Sequence, residues 1–123
     1  MSNIQKCKGQ EFISYTVKGK RYRFPLNNSF GSHLPLLLDI WEQAGIKTAL
    51  EIGCGEHSTP ILAQASLEIV EQGEVAKYDP QYVEWVRKNF PDAKIHIAIG
   101  KDQWKKIRFK DHYDIVFIDC YEY

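Results

Sequence analysis

The stretch Thr48 to Thr59, Thr-Ala-Leu-Glu-Ile-Gly-Cys-Gly-Glu-His-Ser-Thr, limits what this chain can become more than any other. Ala49, Leu50 and Ile52 form a short apolar run of the kind found in a parallel strand covered on both faces. Gly53 and Gly55 follow at once and let the backbone turn sharply, with no Cβ to keep a ligand away. Ser58 or Thr59 can then cap a helix, and Pro60 suits its first position. The stretch therefore predicts strand, tight turn and helix start, with free N–H groups facing an anionic or polar ligand. Gly53-x-Gly55-x-x-Ser58 lacks the third glycine of the dinucleotide-binding fingerprint, and Glu51 just before the turn is unusual for a nicotinamide site.

The rest of the chain supports an α/β reading. At 123 residues it is expected to form a single domain, with residues 1–30 as an N-terminal hairpin and loop and residues 31–123 as the main body. Lys plus Arg and Asp plus Glu both number 16, so no bulk charge draws the molecule to nucleic acid or an acidic membrane. No apolar run is long enough to span a bilayer, and the first residues lack the apolar core of a secretory signal. The three cysteines, Cys7, Cys54 and Cys120, form no Cys-x-x-Cys pair, which points to a reduced, cytoplasmic protein. Cys54 reads as a small space-filling residue in the turn. The four histidines show no zinc-ligand spacing, so no metal is expected.

Taken in order, residues 12–17 and 21–24 predict a hairpin turning at Lys18-Gly19-Lys20. Its basic residues alternate with aromatics, as one solvated and one buried face require. Ser32 is a candidate cap for a helix over 34–44, with Pro35 in its first turn and Leu34, Leu37, Leu38 and Trp41 on one face. After the glycine turn, residues 60–72 read as a helix, although Leu67 to Val70 could instead begin a strand. Gly73 is expected to stop that helix, and residues 74–78 to form a second core strand. Further expectations are a helix from Asp79-Pro80 to Phe90, a strand over 93–99, a short helix over 102–107 and a strand over 114–119. Strands alternating with helices imply βαβ units and a parallel sheet.

Three segments together carry a resemblance. Glu51-Ile52-Gly53-Cys54-Gly55 resembles motif I of the class I S-adenosylmethionine-dependent methyltransferases. Asp79-Pro80-Gln81-Tyr82-Val83-Glu84-Trp85-Val86 looks like the helix after strand two in the small-molecule O-methyltransferase branch. Tyr113-Asp114-Ile115-Val116-Phe117-Ile118-Asp119 is similar to the motif at strand four. The resemblance spans roughly residues 30 to 120. It implies a Rossmann-like, three-layer parallel sheet, shortened to about four core strands behind an N-terminal β-hairpin, and S-adenosylmethionine as cofactor. By the same resemblance, Glu51, Gly53, Cys54, Gly55, Glu56, Ser58 and Thr59 hold the methionine end of the cofactor. Lys77, Tyr78 and Asp79 lie near the ribose, and Asp102 lies near the adenine. Asp119 serves as base or acceptor-orienting residue, and Asn28, Ser29 and His33 border the pocket.

Two departures from the family stand out. An acidic residue normally ends strand two and accepts from the ribose hydroxyls, whereas counting back from Asp79-Pro80 puts Lys77 there, and lysine cannot accept. Asp79 or Glu74 could take the role through a shifted register, or Lys77 and Lys101 could hold an anion instead. The chain also stops after strand four where the family has seven strands, so strand four is expected at an apolar edge that invites pairing, for example with a second copy. Two functions fit: methyl transfer to an unidentified acceptor, or a reduced methyltransferase-like binding module that needs a partner or second copy to complete its sheet.

Overall fold

The computed structural model describes residues 4–26, 33–78 and 80–118. They fall into two compact units, Met1–Gly45 and Ile46–Tyr123.

The first unit contains three antiparallel strands in the order β1-β2-β3: β1 (Ile4–Cys7), β2 (Gln10–Val17) and β3 (Lys20–Pro25). Each connection is a two-residue turn with both residues at positive φ, Lys8-Gly9 and Lys18-Gly19. That conformation matches the twist of the flanking strands. The predicted hairpin is β2–β3; β1 is an added strand, announced by the earlier Lys-Gly pair. Alternation buries Ile13, Tyr15, Val17 and Tyr22. Tyr15 and Tyr22 are register partners and stack with centroids 5.4 Å apart. On the opposite face the Arg23 guanidinium lies 4.0 Å from the centre of the Phe12 ring. Helix α1 (Leu34–Gln43) follows, with Pro35 in its first turn and Leu34 and Leu37 buried. Its N-cap is His33; the expected cap Ser32 lies outside the described residues.

The second unit is a four-stranded parallel sheet with helices between its strands. In chain order it comprises β4 (Thr48–Ile52), α2 (Thr59–Leu62), β5 (Ser66–Gln72), α3 (Gly73–Tyr78), α4 (Gln81–Asn89), β6 (Lys94–Ala98), α5 (Gly100–Lys106) and β7 (Ile115–Ile118). The strand order is β6-β5-β4-β7, parallel throughout.

Two expectations are corrected here. The helix expected over 60–72 ends at Leu62, and Ser66–Gln72 is a strand. Leu67, Ile69 and Val70 are buried, and β5 is hydrogen-bonded on both sides, so tertiary burial of a β-branched run overrides its helical reading. Residues 74–78, expected as the second core strand, instead belong to helix α3, and Gly73 opens that helix rather than stopping one. A Cβ on Gly73 would lie 3.1 Å from the Ile99 backbone and closer still to its side chain. Glycine therefore lets the exit of β5 pass the exit of β6.

One sheet face carries Leu50, Val70 and Ala98, covered by Trp104, Ile107 and Tyr113. Alternation puts Ala49, Glu51 and Ile69 on the other face, where α2 begins. Strand β7 is an edge, as expected: β4 is its sole neighbour among the described strands, and Val116 and Ile118 are exposed. No described helix is long and apolar enough to cross a membrane.

Asp114 fastens the start of β7 to the start of β4. Its Oδ2 accepts from the N–H groups of Lys47 (2.8 Å) and Thr48 (3.1 Å), while Oδ1 meets His112 Nε2 at 2.9 Å. The Lys47 amide first, then His112 and the Thr48 amide, hold the Asp114 carboxyl down at about 2. A depressed folded-state value means that the clamp acts fully above the ordinary aspartate range and is lost as pH falls toward 2. Thermal melts between pH 5 and pH 2 should therefore lose stability through this window, with a shallower acid limb in Asp114→Asn. An unchanged limb in that variant would contradict the clamp.

Candidate functional site

The carboxyl ends of β4, β5 and β6 open on one side of the sheet, where ligands of open α/β sheets bind. The glycine turn leaves β4 there. Gly53 adopts φ +85°, a conformation that costs an L-residue about 1–2 kcal/mol, so glycine is required. A Cβ placed on Gly55 would meet nothing within 4 Å, so the backbone there is open to close approach.

Two carboxylates shape the turn from beneath. Glu51 is fully buried, and its oxygens accept from Ser58 Oγ and Thr59 Oγ1, each at 2.6 Å. These are lengths of charge-assisted O–H···O bonds. Thr59 Oγ1 accepts in turn from the Gly55 N–H at 3.0 Å. A relay thus runs from turn backbone to hydroxyl to buried carboxylate, each bond polarising the next. Ser58 is the N-cap residue of α2, yet its hydroxyl makes no cap bond because Glu51 takes it.

The second carboxylate is Glu71, on β5. Its Oε2 accepts from the Cys54 N–H at 2.9 Å and the Cys54 thiol at 3.3 Å, and its Oε1 accepts from the Gln72 N–H at 3.0 Å. Burial, then the Glu71 charge and hydrogen bond, push the Cys54 thiol well above its usual range. A thiol so held stays protonated and is no nucleophile.

Free N–H groups are expected at the helix start, but Thr59 N–H there donates to Gly55 O at 3.3 Å; the amides of the preceding turn are also used internally. Gly53 N–H donates to Val70 O at 2.8 Å, Cys54 N–H to Glu71 and Gly55 N–H to Thr59. The turn satisfies its own donors because buried amides need partners whether or not a ligand is present.

The candidate residues separate into two sets. Glu51, Gly53, Cys54, Gly55, Ser58 and Thr59 come together in one hydrogen-bonded turn, with Glu56 exposed beside them. Lys77 does not end a strand: it is exposed on α3, with Tyr78 closing the same helix. Asp102 is exposed in the first turn of α5, next to Lys101. Asp79 and Asp119 lie outside the described residues, as do Asn28 and Ser29. Glu71 is the site residue that sequence reasoning missed. Its signal was present: once Leu67 to Val70 is accepted as strand, the next residue is an acid.

Comparison with family models, with curated proteins and with solved structures gives no match for this chain.

The turn's dependence on Glu51 is measurable. In Glu51→Gln one hydroxyl donor faces an amide NH₂ instead of an oxygen, which should cost about 1–3 kcal/mol. Urea denaturation should show a lower midpoint with an unchanged slope. A midpoint equal to that of the parent protein would mean that the buried carboxylate does not hold the turn.

Proposed function

We propose that this chain binds S-adenosylmethionine at the glycine turn, as a Rossmann-like, methyltransferase-type domain. The observation that carries the reading is the pairing of Glu71 with the turn. In the methyltransferases that the sequence resembles, an acid ends strand two and accepts from the ribose hydroxyls. With β5 as strand two, that position falls near Glu71 and not on Lys77, which answers one of the two departures from the family. A carboxylate offers roughly four acceptor positions, so the three donors already on Glu71 leave room for one more. The open approach over Gly55 supports the same reading. Glu51, Ser58 and Thr59 then act by holding the turn's shape, since the two hydroxyls are spent on the Glu51 carboxylate.

Transfer itself needs an acceptor placed in line with the sulfonium methyl. Asp119, the residue after Ile118 in the sequence, is the proposed acceptor-orienting residue or base. Calorimetric titration with S-adenosylmethionine and S-adenosylhomocysteine should show saturable binding of both. Glu71→Gln should weaken each by about tenfold, the size of one lost charge-assisted hydrogen bond, and Gly53→Val should abolish binding. Absence of binding to folded parent protein would refute the proposal.

A second reading, a non-catalytic module completed by another copy of itself, is favoured by the place of β7 at the end of the strand order among the described residues and by the exposure of Val116 and Ile118. It expects cofactor binding without turnover and a dimer–monomer equilibrium in sedimentation velocity. Lys introduced at Val116 should shift that equilibrium to monomer. A parent protein that stays monomeric at high concentration eliminates self-pairing.

A further inference from the structure

A cavity of about 420 Å³ lies away from the glycine turn, lined by Lys94, His96, Ile97, Gln103, Lys106, Ile107 and Arg108. We propose that it binds a small organic phosphate. Lys94 opens β6, Lys106 closes α5 and Arg108 follows within two residues, so three elements of chain bring permanent cations to one hollow. None of the three enters an ion pair with a described residue. Like charges gathered without a carboxylate among them create a positive potential that an anion relieves. Glu68, the register partner of Lys94, is buried, is not part of the lining and is engaged with His96 Nε2 at 3.3 Å.

The remaining lining indicates more than a bare anion. Ile107 packs against the buried Leu50, Val70 and Ala98, which gives the hollow a fixed apolar wall. The Gln103 carbonyl oxygen accepts from the Ile99 N–H at 2.7 Å, which anchors that side chain and leaves its NH₂ as a further donor. The volume lies within the range of small-molecule sites, roughly 300–1,000 Å³. Three cations, an amide donor and an apolar wall fit a phosphate ester with a compact apolar body. Guanidinium and ammonium donors to phosphate make the stronger, charge-assisted bonds. None of the lining residues belongs to the glycine turn, so the two sites share no residue.

The test uses phenyl phosphate, inorganic phosphate and phenol as probes, by calorimetry at low ionic strength. The His96 ring resonances, followed by NMR, report the location. Phenyl phosphate should bind more tightly than inorganic phosphate, phenol should not bind, and the His96 ring signals should move. The double variant Lys94→Gln/Arg108→Gln should weaken phenyl phosphate at least about tenfold. Lys88→Gln, on α4 and outside the lining, should leave it unchanged. These side chains are exposed, and circular dichroism checks that each variant is folded. Saturating S-adenosylhomocysteine should not displace phenyl phosphate. No binding in the millimolar range, equal weakening in Lys88→Gln, or displacement by S-adenosylhomocysteine would overturn the proposal. So would a single-stranded RNA oligonucleotide that binds through Lys94 and Arg108 and resists phenyl phosphate, because it would mark a nucleic-acid surface.

Discussion

The buried Glu51 carboxylate is the constraint on which the turn at the carboxyl end of β4 depends. A carboxylate with no water around it must find donors, and the chain supplies Ser58 and Thr59 from the following turn. That requirement bends the segment after β4 back over the strand's own end. Gly53 makes the bend sterically possible, and Glu71 reaches over from β5 to hold Cys54 in the same turn. Two acids on adjacent strands thus pin one loop from two sides. The result is a turn whose shape is set before any ligand arrives, which is the condition for binding without a large ordering cost.

The sheet gives this turn its setting. Parallel strands place all carboxyl ends on one side, so the exits of β4, β5 and β6 gather there. Gly73 allows two of those exits to pass closely, and Asp114 secures β7 to β4 at the opposite end. The sheet's flank is less protected. Val116 and Ile118 alternate with half-buried Ile115 and Phe117 along β7, so the strand is apolar on both faces and only part of it is covered. An edge of this kind is a demand for cover, whichever chain meets it.

Much of this was legible in the residues. The apolar run of β4, the glycine turn, α4 with Val83 and Val86 on one face, and the β-rich segments of β6 and β7 are local signals, and local signals survive folding. Strand β5 was legible only as an alternative to helix, because Leu67, Ile69 and Val70 satisfy helical and extended spacing alike. Only pairing with β4 and β6 decides between them. That one ambiguity displaced the second core strand by several residues, put Lys77 where a carboxylate belongs and hid Glu71. Strand β1 was missed for a different reason: its four residues are all exposed, so no burial pattern marks it. The internal use of the turn's N–H groups was equally invisible, since nothing in a sequence states which partner a donor chooses.

The most direct measurement of the central claim is amide hydrogen exchange at Gly53, Cys54 and Gly55, read residue by residue with and without S-adenosylhomocysteine. A turn preformed by Glu51 and Glu71 predicts strong protection of all three amides in the ligand-free protein. It also predicts that ligand-induced changes will centre on the turn and on Glu71 to Gly73. Amides that exchange at the rate of an open loop, or ligand effects confined to another part of the molecule, would contradict it.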